Sequence, residues 1–418
     1  MTFNHSSRNN CRLCLSNKIE EVVDLPDTIP GEHLKASKNE PDPELLEISL
    51  FQCNDCGHVQ INSIPDPKSL FNEHYSFMPS KNPEIIKHFG TTIDYILAHH
   101  VEDLEFAFEF GSNDGLFLDL IRQKTNAKVL GMDPSLPPVI EARKRDIETI
   151  HDFFGKGCDE QILSNYGNPD LIIANNVFAH IDDLRGILHT VSNLIKEDGF
   201  FVFEVSYLLD IVNRYLIGTI IHEHLSHHSV HSLIPFLQLE GFQLVDVLNV
   251  SKIQGGAIVC IAKKTSSAKI YPSVNKNLEL ELSAGINNSH GMKNFDSRLK
   301  DKLQNFKIHL EEFCSNQKLF AYGAARSAPF IMQLLEIDNV VEFCIDDHPQ
   351  KQGKFLPLSN AEITNSTILK DPKKMKDCCF LITGWAQSER IKANLAEHSF
   401  YKTASICPSF DINDHGGS

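Results

Sequence analysis

Residues 105–135 read EFAFEFGSNDGLFLDLIRQKTNAKVLGMDPS, and this stretch decides the fold. An apolar run from Phe106 to Phe110 carries Glu109 and breaks at Gly111. A glycine turn over 111–115 follows, then an amphipathic segment over 116–121, then a second apolar run over 129–132 that ends in Asp133. Strand, glycine turn, helix, strand and acid, in that order, make the first half of a nucleotide-binding βαβ unit. Gly111 and Gly115 let the backbone pass close to a ligand where a Cβ would collide. Asp133, at the tip of the second strand, is placed to accept hydrogen bonds from ribose hydroxyls.

The turn reads Glu-x-Gly-x-x-x-Gly and lacks the third glycine of a pyrophosphate fingerprint. An acid at its head suits a cationic ligand end better than a diphosphate. This resembles motif I of the class I S-adenosylmethionine (SAM)-dependent methyltransferases, with Asp133 following Gly115 by 18 residues. The resemblance implies that SAM is held by Glu109, Gly111, Asn113, Gly115, Asp133 and Asn175.

Beyond Asp133 the alternation continues. Helix is expected over 137–145, a short strand over 149–151, a buried strand entering a loop over 170–180, helix over 184–196 and a buried strand over 200–205. Residues 258–262 supply a last strand. Strands alternating with helices imply a parallel sheet covered on both faces, with ligands at the carboxyl ends of the strands. Those ends hold Gly111, Asp133, Asn175 to His180, and Glu204 to Tyr207.

Before this core, Cys11-Arg-Leu-Cys14 and Cys53-Asn-Asp-Cys56 stand 38 residues apart. Two such knuckles offer four thiolates, which suits a tetrahedral zinc ion and leaves no open position for catalysis. The acids Glu40, Asp42, Glu44 and Glu47 between them speak against a nucleic-acid ribbon. The other seven cysteines read as scattered buried thiols, with no disulfide framework. After the core, residues 264–290 read as a linker with local helix. Phe295, Leu299, Leu303, Phe306, Leu310 and Phe313 then recur at helical spacing. A second βα pattern follows: a strand over 319–322, a turn led by Gly323 with Arg326 and Ser327, and strands over 340–345 and 380–383. A helix N-terminus bearing Arg326 and Ser327 suits a phosphate.

The chain has 418 residues, 42% of them apolar, and a net charge of −16. That charge argues against nucleic-acid and anionic-membrane partners. The first ten residues have no apolar core of a secretory signal, and no apolar stretch reaches membrane-spanning length. A cytoplasmic monomer is expected.

Three further segments carry a more specific resemblance. They are Asn175-Asn-Val-Phe-Ala-His180-Ile-Asp-Asp-Leu, Phe-Glu204-Val-Ser-Tyr207-Leu-Leu-Asp210, and His222-Glu-His224-Leu-Ser. Together with the knuckles they closely resemble the nucleotide-sugar C-methyltransferases, over about residues 11–405. The resemblance implies an α/β protein: a four-cysteine zinc module (1–66), a class I SAM-dependent Rossmann-like core (67–264) and a C-terminal Rossmann-like domain (291–410); composition adds a linker (265–290) between the last two, and terminal position a disordered tail (411–418). It implies SAM and structural zinc as cofactors, and a nucleotide sugar as substrate, methylated on a ring carbon beside a keto group. It gives His224 the role of base, with Glu223, His180 and Tyr75 around the sugar. Histidine suits that role because its pKa lies near working pH.

Two departures stand out. The family usually has a tyrosine directly before His-Glu-His, and the resemblance gives it the role of helping the keto or enolate oxygen; here it is Ile221, whose side chain cannot donate a hydrogen bond. Gln254-Gly-Gly-Ala257 replaces a family His-Gly-Gly-Ser. These departures keep two other readings open, a SAM-dependent enzyme with another acceptor, such as an O-methyltransferase, and a non-catalytic zinc and SAM-fold binding protein. A dehydrogenase ranks last, because neither glycine turn has G-x-G-x-x-G spacing.

Overall fold

The computed structural model describes residues 4–70, 77–250, 255–265, 267–400 and 402–414. In the N-terminal module β1 (Ile19–Val23), β2 (Leu50–Cys53) and β3 (Val59–Gln60) pair antiparallel in spatial order β1-β2-β3. One knuckle precedes β1. The other starts at the end of β2, where Gly57 N–H donates back to the Cys53 carbonyl at 2.9 Å and closes the turn.

The core begins with α1 (Pro83–His99), whose start is set by proline in the first turn and by the Asn82 side chain accepting from Glu84 N–H. Ile85, Phe89, Ile93 and Ile96 recur at three- and four-residue steps and form its buried stripe. There follow β4 (Phe106–Phe110), α2 (Leu116–Lys124), β5 (Lys128–Asp133), α3 (Leu136–Lys144), β6 (Thr149–His151), β7 (Leu171–Asn175), α4 (Leu184–Leu194), β8 (Phe200–Ser206), β9 (Ser226–His227), α5 (Val230–Gln238), β10 (Phe242–Val250) and β11 (Ala257–Lys264).

Seven of these strands form one sheet in the order β6-β5-β4-β7-β8-β11-β10, with β11 antiparallel to both neighbours. The chain runs from β4 to β5 on one side and later to β7 on the other. A ligand crevice therefore opens at the strand ends between β4 and β7. Strands buried on both faces read as unbroken apolar runs. Phe106, Phe108 and Phe110 fill one layer while Ala107 faces the other. Each phenylalanine so buried contributes about 1.5–3 kcal/mol.

β9 does not join that sheet. It pairs antiparallel with β3 and becomes the fourth strand of the N-terminal sheet, through Ser226 opposite Gln60 and His227 opposite Val59. The chain thus leaves the core after β8, crosses to the cysteine module and returns.

Two helices follow, α6 (Pro272–Ala284) and α7 (Ser289–Phe313). The C-terminal domain contains β12 (Lys318–Tyr322), α8 (Ala328–Leu335), β13 (Val341–Ile345), β14 (Glu362–Thr364), β15 (Cys378–Ile382), β16 (Lys402–Ser405) and β17 (Asp411–Asp414). Its sheet runs β14-β13-β12-β15-β16-β17, parallel except for β17. Lys35 of the N-terminal module exchanges backbone hydrogen bonds with Phe355 of this domain, 2.9 Å each way. Its ammonium, buried at 4% exposure, reaches Asn360 Oδ1 at 2.6 Å and Asp42 at 3.1 Å. The first and last domains are therefore joined directly.

Three expectations need correction. Residues 411–414 are not disordered: β17 pairs along β16, and Ile412 packs on the core. The polar look of DIND misled, because an edge strand needs apolar residues on one face only. Residues 415–418 lie outside the described residues. The segment 265–290 is more than a linker. α6 buries Asn277 and Glu281, and Glu281 accepts from Tyr207 Oη at 2.8 Å, Val230 N–H at 2.6 Å and His231 N–H at 2.8 Å. Its polar residues are satisfied internally, a state that composition cannot distinguish from solvation. Finally, Cys314 and Cys379 are not separate thiols but are joined as a disulfide. Among the described residues no helix is long and apolar enough to cross a membrane.

Candidate active site

A cavity of about 930 Å³ occupies the crevice at the strand ends. Its rim draws on all three parts of the chain, and Gly111, Asp133, Asn175, His180, His224 and Arg326 all line it.

At the floor, period-two alternation puts Glu109 of β4, Asn175 of β7 and Glu204 of β8 on one sheet face; Glu109 pairs with Ile173, and Asn175 with Glu204. Asn175 Nδ2 donates to Glu109 Oε1 at 2.9 Å. Among the described residues, Glu109 Oε2 is buried without a partner. Burial pushes the Glu109 carboxyl well above the usual range, with Asp114 and Asp133 adding to the shift and Asn175 opposing it. A buried, half-satisfied carboxyl facing a cavity fits an ammonium group, such as the methionyl end of SAM. Gly111 turns at φ +64°, and an added Cβ would run into Val177. Asp133 accepts from Asn113 N–H at 2.9 Å and Ser135 N–H at 2.8 Å, which aims the carboxylate along the glycine turn. Gly115 ends that turn as the residue before α2.

Burial raises the Asp133 carboxyl from 3.8 to about 6, against the pull of its two backbone donors. Ribose hydroxyls favour the ionised form, so binding at this residue is linked to proton release. SAM affinity is expected to be full above pH 6 and to weaken as pH falls through that value. Calorimetric titration with SAM between pH 5 and 8 checks this, and a flat profile that matches Asp133→Asn would refute it.

At the other end of the cavity His224 Nδ1 lies 2.6 Å from the Thr219 carbonyl oxygen. A carbonyl only accepts, so Nδ1 carries the proton and Nε2 keeps its lone pair. Burial holds the His224 imidazole below its ordinary pKa, with nearby Arg326 acting the same way and Thr219 and Glu223 opposing. Burial, then His224, then Arg326 push His180 further down. The two rings stack with centroids 5.1 Å apart and planes 12° from parallel. Both are neutral at working pH, the state a proton acceptor needs. Glu223 is buried at 4% exposure and pairs with Arg326 Nη1 at 3.0 Å.

The cysteine module holds this loop from both sides. His222 Nε2 donates to the carbonyls of Leu46 at 3.2 Å and Glu47 at 3.1 Å. Ile61 N–H donates to the Leu225 carbonyl at 3.1 Å, and β9 follows. Arg12, fully buried between two knuckle cysteines, reaches the same Leu225 carbonyl at 3.0 Å and Asp182 Oδ1 at 3.0 Å. Asp182 lies two residues beyond His180.

The sulfurs of Cys11, Cys14, Cys53 and Cys56 all lie within 4.8 Å of one another, with the Cys11–Cys56 and Cys14–Cys53 pairs at 3.5 Å. A tetrahedron with zinc–sulfur bonds of about 2.3 Å has edges of about 3.8 Å, so the four thiols fit zinc.

The residues nominated from the sequence thus fall into three groups. Glu109, Gly111, Asn113, Asp133, Asn175, His180 and His224 line one cavity. Glu223 sits behind it, and the four cysteines form the separate cluster. Gly115 is not in the cavity lining; a Cβ there would meet Ala142 and Ile147, so its glycine serves the turn and the packing beneath it. Tyr75 and Gln254 lie outside the described residues.

Comparison with known proteins bears on what this cavity serves. Residues 11–71 match a family described as "Putative zinc binding domain", residues 107–247 a "Methyltransferase domain", and residues 252–408 a "C-methyltransferase C-terminal domain". C-methyltransferase NovU of Streptomyces niveus is 29% identical over 358 residues, which is 84% of each chain. The chain carries these three matches in the order zinc-binding domain, methyltransferase domain, C-methyltransferase C-terminal domain. It is a SAM-dependent methyltransferase, and its cofactors are SAM and zinc.

Solved structures similar to part of this C-methyltransferase include magnesium protoporphyrin IX methyltransferase of Synechocystis (14% identity, 43% of this chain, 83% of that one, TM-score 0.34). N-methyltransferase NodS of Bradyrhizobium japonicum is another (14% identity, 44% of this chain, 99% of that one, TM-score 0.33).

The C-methyltransferase cavity holds residues that sequence reasoning passed over. His88 of α1 lines it and pairs through Nε2 with Glu204 Oε2 at 2.5 Å, while Asn176 Nδ2 donates to Glu204 Oε1 at 3.1 Å. A signal existed, since His88 interrupts the apolar stripe three residues after Ile85. His348 and Trp385 enter from the C-terminal domain. Nothing in a single sequence ties those two to a cleft some 200 residues earlier.

Proposed function

We propose that this C-methyltransferase transfers the SAM methyl group to a ring carbon beside the keto group of a nucleotide-linked deoxysugar. The carrying observation is His224, with its Nε2 lone pair, lining the same cavity as Glu109, Gly111 and Asp133. A hydrogen on carbon beside a carbonyl is acidic because the resulting charge spreads onto oxygen. His224 Nε2 takes that proton, and the electron pair passes to the carbonyl oxygen as an enolate. SAM bound beside it would supply an electrophilic methyl group to the enolate carbon and would leave as S-adenosylhomocysteine. His180, stacked on His224, belongs beside the sugar. Glu109, Gly111, Asn113, Gly115, Asp133 and Asn175 hold the cofactor.

The second Rossmann-like domain supports a nucleotide-bearing substrate. It contributes Arg326, His348 and Trp385 to a cavity near the upper end of the usual ligand-pocket range. In this reading the enzyme is a cytoplasmic monomer. A thermal-shift screen of sugar nucleotides in the presence of S-adenosylhomocysteine tests it. Keto-deoxysugar nucleotides are expected to raise Tm, whereas free nucleotides and non-keto sugar nucleotides raise it less. Stabilisation by SAM-site ligands alone, with none by any keto-sugar nucleotide, would overturn it.

A further inference from the structure

We infer that Arg326 of the C-terminal domain is the group that holds the developing enolate oxygen, and that Glu223 serves to aim it. This rests on the keto-sugar reading above.

Enolate formation leaves negative charge on oxygen, and a site that performs it needs a donor preset at that point. The two imidazoles beside the reacting carbon are both neutral, and His224 is committed as acceptor. Ile221, which lines the same cavity, has no polar side-chain atom. Among the described residues, the lysine and arginine side chains lining the cavity are Lys81 and Arg326. Lys81 belongs to the cofactor end, because its neighbour Ser80 donates its N–H to Asp114 Oδ2 of the glycine turn at 3.1 Å. Arg326 belongs to the histidine end. Its Nη1 lies 3.0 Å from Oε1 of Glu223, the residue directly before the base. Its charge acts on both His180 and His224.

The guanidinium is carried on a turn with little freedom. Ala324 N–H donates to Asp346 Oδ2 at 2.9 Å, Thr383 Oγ1 donates to the Gly323 carbonyl at 2.6 Å, and Lys351 Nζ donates to the Ala324 carbonyl at 2.8 Å. On the facing loop, Glu223 is buried at 4% exposure, whereas the Arg326 side chain is 34% exposed. The carboxylate therefore holds Nη1 at one edge of the fork, and the side chain lines the cavity. The indole of Trp385 sits over Gly218, next to the Thr219 carbonyl that orients His224, so base and guanidinium are set against each other by the same domain contact. Glu223 is thereby a positioning residue, acting through Arg326.

In the step proposed, the carbon-bound hydrogen leaves as a proton to His224 Nε2. Its electron pair forms the carbon–carbon double bond of the enolate, and the former carbonyl pair rests on oxygen against the Arg326 N–H groups. Nothing is oxidised or reduced. A phosphate anchor at the same residue would act differently, lowering substrate affinity without changing the chemical step.

The test is washout of the hydrogen beside the keto group in D2O, followed by proton NMR, with S-adenosylhomocysteine in the cofactor site. The probes are dTDP-4-keto-6-deoxyglucose and its UDP counterpart. Arg326→Met is expected to slow washout at saturating probe by about 10²- to 10³-fold. Its KM for the probe should stay within about threefold of the wild type, Arg326→Lys should be intermediate, and S-adenosylhomocysteine affinity should hold in both as a check on folding. Wild-type washout rates in Arg326→Met, with a raised KM, would overturn the inference in favour of a phosphate anchor. Equal washout by the wild type and His224→Gln would instead sink the keto-sugar reading.

Discussion

Replacing His224 by glutamine is expected to lower kcat by about 10²- to 10⁴-fold, the usual contribution of a positioned general base. Glutamine keeps most of the volume, and its amide can still donate to the Thr219 carbonyl, so the loop 218–225 should stay in place. What disappears is the lone pair that Nε2 offers to the cavity. The strands proposed to hold SAM are β4, β5 and β7, and among the described residues none of them pairs through its backbone with this loop. Calorimetric SAM affinity should therefore be unchanged. The pH profile of the wild type supplies a second readout. Burial holds the imidazole below its ordinary value, so the active neutral form persists into mild acid. The rate should stay level from alkaline to neutral pH and fall only below the ordinary histidine range of about 6.5. Retention of turnover within tenfold in His224→Gln would remove the residue from the role of base.

Loss of zinc should be comparably damaging, through geometry and not through chemistry. Structural zinc contributes about 10–16 kcal/mol of apparent binding energy in small zinc-finger peptides, which is folding energy for the module that holds it. Cys53→Ser removes one thiolate and is expected to abolish stoichiometric zinc. Without the metal, β3 loses the frame that keeps it paired with β9, and the carbonyls that hold His222 are no longer fixed. Arg12 can then no longer bridge Leu225 and Asp182. Turnover should fall by at least about 10²-fold, the penalty a misplacement of about 1 Å can carry. SAM binding should survive, because Glu109, Gly111 and Asp133 belong to the core sheet. Metal content, SAM calorimetry and turnover on the same preparation separate these effects. A zinc-free variant with full turnover would show that the module is a bystander to the reaction.

Much of this arrangement could be read from local pattern. The run Phe106–Phe110 with its glycine turn and Asp133 announced β4, α2 and β5, and the structure places their tips at one crevice. The paired knuckles announced a four-thiolate cluster, because the spacing within each pair already restricts where the sulfurs can lie. What stayed hidden was long-range. Ser226 and His227 look like the end of a histidine-rich loop, and no property of those residues reveals that they pair with Val59 and Gln60. Arg12 looks like a surface charge inside a knuckle, yet it is fully buried by partners at 49 and 213 residues' separation. Arg326 was legible as a cation at a helix start, which suggested phosphate. Its actual neighbour, Glu223, lies on another domain. Composition made residues 265–290 look like a tether, whereas Glu281 is buried and caps α5. Burial of a satisfied polar group leaves no mark in sequence.

The most direct test is where the methyl group ends up. SAM labelled with ¹³C in its methyl group, incubated with a keto-deoxysugar nucleotide and this enzyme, yields a product whose labelled carbon can be placed by two-dimensional NMR. Coupling of the new methyl group to a ring carbon beside the keto position, with the hydrogen there lost, is the expected result. A labelled methyl bound to oxygen would mean that His224 removes a proton from a hydroxyl group, and the enolate account would be contradicted.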